Sequence, residues 1–190
     1  MDAVSAAAGP QQGNQTLIKL KRQSPEVYFV ANPISGIGPT EIKFLKDAAR
    51  RSTRQRCRIC LHADEQAELH ETVLVYTKDT FNRPNRHPMA EAFHLLEGAC
   101  DVIFFTEDGK PDKNLHMEAA VRGNGRSFIV QFPVMVYHTI IVRSDWLVIH
   151  ETCRGPFVRG TTTLYAPWAP LETDTDDVAD FLAGLEMYCK

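Results

Sequence analysis

The sequence predicts a mostly β protein, a sandwich or barrel of short strands with a helix near each end. Three observations predict it. From residue 71 onward, stretches rich in apolar and β-branched residues follow one another at short intervals: 71–77, 91–97, 101–106, 115–121, 127–132, 138–143 and 146–151. Turn signals separate several of them, most clearly Glu107-Asp-Gly109 and Arg122-Gly-Asn-Gly-Arg126. No alternation of strands with helices runs along the chain, which argues against a doubly wound parallel sheet.

Residues 1–24 are rich in Ala, Gln, Gly and Ser, which predicts a mobile N-terminal arm. Residues 25–190 are then expected to form one domain. Glu26-Val-Tyr-Phe-Val-Ala31 reads as an added strand at the edge of a sheet. Residues 32–39 are loop, and Gly36-Ile-Gly38 is a plain turn because no Lys-Ser/Thr follows to make it a phosphate loop. Thr40 can cap a helix over about 40–51, with Ile42, Leu45, Ala48 and Ala49 as its apolar stripe. Residues 54–62 end in strict alternation, with Ile59 and Leu61 on one face and Arg58, Cys60 and His62 on the other. At the other end a helix over about 175–187 presents Val178, Phe181, Leu182 and Leu185 at i, i+3, i+4 and i+7. Thr173 or Thr175 is placed to cap it, and the following Asp residues suit the positive end of its dipole.

A chain of 190 residues with 44% hydrophobic and 24% charged residues is ordinary for a globular protein. The formal charge of −3 gives no reason to expect a nucleic-acid or membrane partner, and no apolar run approaches a membrane span. The seven basic residues between Lys43 and Arg58 lack interleaved aromatics and read as a solvated helix face and a polar strand face. Five cysteines at scattered spacing favour free thiols and a cytoplasmic location over a disulfide framework. Cys57-x-x-Cys60-x-His62 suggests zinc, but on a strand Cys57 and Cys60 point to opposite faces.

The chemistry concentrates in residues 83–98. Asn85 and His87 share one face of an extended strand, Glu91 follows after Pro88, and Gly98 comes six residues beyond it. Imidazole and carboxylate are natural ligands for a divalent ion, and an amide oxygen is a weaker one. This stretch resembles the first motif of the cupin superfamily, His-x-His-(x)3-4-Glu-(x)6-Gly, with Asn85 where the first His usually stands. Pro133-Val-Met-Val-Tyr-His138 resembles its second motif, a Pro-led turn followed by His.

More specifically, the chain resembles the WbuC family of cupin-fold metalloproteins over roughly residues 40–185. The likeness rests on several blocks in order. These are Arg54-x-Arg56-x-Arg58-Ile-Cys-Leu-His62, Arg83-Pro-Asn-Arg-His-Pro88, Leu95-x-Glu-Gly98, Phe105-Thr-Glu-Asp-Gly109, Tyr137-His-Thr139, His150-Glu151 leading to Gly155-Pro-Phe157, and Trp168-Ala-Pro-x-Glu172. The family usually has Pro-His-Arg-His at 84–87, so Asn85 replaces a ligand. The resemblance implies a cupin-type jelly-roll β-barrel with flanking helices. It implies one divalent ion (Fe, Zn, Mn or Ni) on His87, Glu91 and His138, with Asn85 as candidate fourth ligand. Its setting is bacterial, among surface-polysaccharide genes.

In a barrel of this kind Arg58, His62 and Arg83 would orient a small oxygenated ligand such as a sugar or keto acid. Glu151 would support the ligands from behind. Such a protein would be a metal-dependent enzyme. The alternatives are a non-catalytic binding module for a carbohydrate or acid, and a structural cupin that has lost its metal. Pairing through outer strands, with Val27 to Val30 at the edge, would give a homodimer. The remaining candidates have plainer readings: His94 is a packing or surface residue, His116 is exposed near a hairpin, His70 lies in a loop, and Trp168 is a core anchor.

Overall fold

The computed structural model describes residues 18–32, 34–120 and 125–189. Residues 1–17 of the expected arm, and 121–124 of the expected second turn, lie outside them. Two sheets are stacked. The seven-stranded sheet has β1 (Leu20–Ser24), β2 (Val27–Val30), β3 (Arg56–Cys60), β4 (Leu69–Thr77), β11 (Trp146–Arg154), β6 (Glu91–Glu97) and β9 (Ile129–Phe132), in that spatial order. The five-stranded sheet runs β12 (Leu164–Tyr165), β5 (Asn85–Arg86), β10 (Tyr137–Val142), β7 (Ala99–Phe105) and β8 (Pro111–Glu118). Helix α1 (Pro39–Arg51) covers the outer face of the larger sheet, and α2 (Thr175–Tyr188) covers the smaller one.

The expected closed barrel is therefore an open sandwich. Each sheet keeps two ends, β1 and β9 in one and β12 and β8 in the other, and no ladder joins them among the described residues. Alternation along the strands fills three layers. Leu74, Tyr76, Phe93, Leu95, Leu147 and Ile149 meet Cys100, Val102, Met117, Ile140 and Val142 between the sheets. The opposite faces of β3, β4 and β11 place Cys57, Ile59, Val73, Val75 and Val148 under Leu45, Ala48 and Ala49 of α1. Ile103, Phe105, Tyr137 and Ile141 face α2 through Leu185 and Phe181, with Trp168 packed beside them.

Several local expectations are revised. Leu20–Ser24, expected in the arm, pairs antiparallel with β2. β2 also pairs in parallel with β3, so Val27 to Val30 has both edges filled and is no outer strand. That parallel pair with α1 between is one βαβ unit, which the spacing of strands downstream had not suggested. Thr40 is not the cap of α1. Pro39 opens the helix, and the Glu41 carboxylate reaches back to accept the Gly38 N–H at 2.9 Å. Asp174 precedes α2 without a side-chain cap, while Thr173 donates to it at 3.2 Å and Thr175 is already helical. No helix among the described residues is long and apolar enough to cross a membrane.

Gly98 is where the chain leaves one sheet for the other, with β6 ending at Glu97 and β7 starting at Ala99. Its φ is +89°, and a Cβ there would collide with the Trp146 carbonyl oxygen and the Ser144 hydroxyl. Gly98→Ala is expected to cost roughly 2 kcal/mol or more, read as a lower urea midpoint with an unchanged m-value.

Candidate metal centre

The site sits at one end of the sandwich interior and takes residues from both sheets. On the smaller sheet, Asn85 of β5 pairs directly with His138 of β10. His87 follows β5 by one residue, and its carbonyl accepts the Met135 N–H at 2.8 Å, tying it to the turn before β10. Glu91 opens β6 on the larger sheet and points into the same space. His87, Glu91 and His138 form a group that could hold a metal ion, with one ligand atom from each lying within 4.8 Å of the others. Glu91 and His138 are buried, and His87 is half-buried.

The hydrogen bonds fix which nitrogens are available. His87 Nδ1 donates to the Thr162 carbonyl at 2.7 Å, and His138 Nδ1 donates to the Val136 carbonyl at 3.1 Å. A carbonyl can only accept, so each neutral imidazole carries its proton on Nδ1 and a lone pair on Nε2. Both Nε2 atoms face Glu91, that of His138 at 3.0 Å from Oε1 and that of His87 at 3.7 Å from Oε2. Lone pairs set against a buried carboxylate need a proton or a cation between them. Glu91 Oε1 has no hydrogen-bond donor in this arrangement. Asn85 adds a fourth acceptor: its Nδ2 donates to the Arg83 carbonyl at 2.9 Å, which leaves Oδ1 buried and unpartnered. Two nitrogens, a carboxylate and an orphaned amide oxygen suit a divalent ion with open positions. The buried Phe132 ring lies tilted against the His138 ring with centroids 4.6 Å apart.

A cavity of about 260 Å³ opens from these ligands. Arg58 and His62 line it, as the alternation of β3 implied, and so does Glu151. Arg83 does not. One terminal nitrogen of its guanidinium donates to the Ala166 and Ala169 carbonyls at 3.3 and 3.2 Å and the group lies over Tyr165, so it braces the loop after β12. Glu151 is mid-strand on β11, beside the ligands and not bonded to them. Burial, and then the nearby Glu91 carboxylate, push its carboxyl up to about 8. His62 is held below its ordinary value by burial and by His70, whose ring stacks on it at 4.0 Å. His70, expected in a loop, is a buried residue of β4. His94 packs on Phe128 on the outer face, and His116 pairs with buried Asp101 on the far side of the smaller sheet. Trp168 anchors the α2 layer as expected. All five cysteines are free, and burial pushes the cavity-lining Cys153 thiol up to about 12.

Sequence reasoning missed the two carbonyls that orient the imidazoles, because any residue can supply a carbonyl. It also missed Thr72, Tyr76 and Cys153 as lining. The period-two pattern His70, Thr72, Leu74, Tyr76 carried that signal once β4 was extended to Leu69.

A family described as "Domain of unknown function (DUF6016)" matches residues 37–117, a stretch that holds His87 and Glu91 but not His138. No curated protein matches the sequence. Among solved structures, protein SO0799 from Shewanella oneidensis is similar at 9% identity and a TM-score of 0.48, covering 57% of this chain and 72% of that one. A cupin superfamily protein from Desulfitobacterium hafniense is similar at 9% identity and a TM-score of 0.43, over 58% and 86% of the two chains. An oxalate decarboxylase from Lactobacillus farciminis is similar at 15% identity and a TM-score of 0.40, over 52% of this chain but 26% of the enzyme.

Two outcomes are expected. Protein purified without chelators or a His tag should carry close to one equivalent of a divalent metal by elemental analysis, and His138→Ala or Glu91→Gln should weaken binding at least about tenfold. In metal-free protein, Glu151 binds its proton more tightly when folded than when unfolded. Stability should therefore fall as pH rises from about 4.5 to about 8, and Glu151→Gln should flatten that slope in denaturation curves taken across the range.

Proposed function

We propose that this chain is a metal-dependent cupin of the WbuC type, acting as an enzyme on a small oxygenated molecule. The observation that carries this reading is the pair of imidazoles whose Nδ1 protons are spent on backbone carbonyls, leaving both Nε2 lone pairs on one buried carboxylate. A structural cupin without metal has no need of that arrangement. The sandwich, the helix on each outer face and the Asn-x-His, Glu and Gly spacing all agree with the jelly-roll reading.

His87, Glu91 and His138 would hold the ion, with Asn85 Oδ1 as fourth ligand. A bound divalent ion supplies a Lewis acid for a substrate oxygen. The chain's own residues do the rest. His62 and Arg58 orient the substrate in the cavity, and Phe93, backed by Phe132, keeps water from its apolar side. Glu151 is the candidate group for proton movement inside the same cavity. The resemblance to the WbuC family adds a bacterial setting in surface-polysaccharide biosynthesis, with a sugar or a keto acid as substrate. The five free thiols suit the cytoplasm. A homodimer would have to use an edge other than β2.

A screen of sugars and keto acids against metal-loaded protein tests the reading, with thermal shift for binding and product analysis for turnover. Conversion that disappears on chelation and returns with metal is expected. A compound that stabilises the protein but is recovered unchanged would make it a binding module. Less than about a tenth of an equivalent of metal, in both the native chain and an Asn85→His variant, would make it a structural cupin.

A further inference from the structure

The cavity contains a cation with no ion pair and no hydrogen bond among the described residues. Three arginines of residues 54–58 reach its wall, and two are already engaged. Arg54 pairs with Glu26 and, at 3.5 Å, with Glu172. Arg56 pairs with Glu172 at 3.0 Å. Arg58 is different. Among the described residues its guanidinium makes no ion pair and no hydrogen bond, and its Nε is sealed from solvent without an acceptor. Glu151 shares the cavity and is attracted to Arg58 through space, but the two are not within ion-pair contact. Arg154 also lines the cavity, but it is exposed. A buried, unsatisfied guanidinium donor is costly, and arrangements of this kind persist where a ligand supplies the missing acceptor.

The register separates Arg58 from the metal ligands by a fixed span. Arg58 lies on β3 and Glu91 on β6, with β4 and β11 between them. Three interstrand spacings, with Arg58 in register with Leu95 four residues along β6 from Glu91, put roughly 19 Å between those backbones, and the two side chains reach into that gap from its ends. The cavity of about 260 Å³ lies just below the range typical of drug-sized ligands, roughly 300 Å³ and upward, so it suits a small ligand better than a nucleotide-linked sugar. Its charge narrows the chemistry further. Of its lining glutamates Glu26 is paired with Arg54 and the Glu151 carboxyl is raised by burial, which leaves Glu65 and Glu91, and Arg58 is the inner guanidinium without an ion pair. A planar monoanion matches the guanidinium fork in shape and in charge, whereas a phosphate dianion would face the glutamates with only half its charge met.

We propose that Arg58 anchors a carboxylate, so that the substrate is a small carboxylic acid whose second oxygen function, a keto, hydroxyl or further carboxylate group, reaches the side of His87, Glu91 and His138. This rests on the metal reading for the second contact and on Arg58 alone for the first.

The test is isothermal titration of the full chain loaded with Co(II), using pyruvate, glycolate and malonate as probes and glucose and inorganic phosphate as competing chemistries. Acids that bind should also shift the visible Co(II) spectrum, while glucose and phosphate bind at least about tenfold more weakly. Arg58→Gln should weaken the acids by about ten- to a hundredfold with Co(II) stoichiometry unchanged, and Arg58→Lys, which keeps the charge but not the fork, should fall between. If Arg58→Gln does not fold by circular dichroism, Arg58→Lys carries the comparison. Equal acid affinity in the folded variants, or a preference for phosphate or glucose, overturns the proposal. Metal-free protein separates the two readings. Arg58-dependent acid binding without Co(II) uptake overturns the metal site alone, and Co(II) uptake without acid binding overturns the anchor alone.

Discussion

The arrangement depends on two main-chain carbonyls. Those of Val136 and Thr162 take the Nδ1 protons of His138 and His87, and so decide where the lone pairs of both rings point. The rings would otherwise be free to turn Nδ1 inward or to donate to Glu91 as ordinary buried hydrogen-bond partners. The carbonyls are themselves held. The Thr162 hydroxyl accepts the Val158 N–H at 2.7 Å and its own N–H returns to the Val158 carbonyl at 3.0 Å, which closes the loop that carries it. Val136 lies in the turn that the Met135 N–H pins to His87. Outer contacts of this kind fix tautomer and ring angle together, and a chelating site built on strands needs both.

The same strands that build the core also build the site. Along β10 the inward positions run His138, Ile140, Val142; along β6 they run Glu91, Phe93, Leu95; along β11 they run Leu147, Ile149, Glu151, Cys153. Each strand changes from apolar to polar at the same end of the sandwich. The apolar end excludes water and packs the sheets against each other. The polar end inherits that rigidity without needing loops to close over it. Desolvation at the boundary is the main cause of the raised Glu151 carboxyl, with Glu91 second.

Much of this was legible in the residues. The strand positions, the two helices and the inward face of Arg58, Cys60 and His62 follow from period alone, because alternation is a property of side-chain order. The candidate group followed from the resemblance to the two cupin motifs, and the fold brings Asn85 and His138 side by side by a pairing of strands more than fifty residues apart in sequence. What could not be read depended on partners distant in the chain or on main-chain atoms. Arg83 looks identical in sequence to an arginine that clamps a ligand, and only the loop at Ala166 and Ala169 turns it into a brace. β2 resembles an edge strand until β1, drawn from a stretch of arm-like composition, covers its free side. The βαβ unit was hidden because a single parallel pair leaves no repeating pattern.

The bond from His87 to Thr162 spans 75 residues, so it has a consequence in time. On a ribosome, the first imidazole and the carboxylate emerge long before the carbonyl that orients that imidazole. A nascent chain that has released residues 37–117 holds His87 and Glu91 but neither His138 nor the carbonyls that orient the two rings. Assembly of the group is therefore a late event that waits for the loop at Thr162, and a partly made polypeptide has no assembled cage in which to trap the wrong cation.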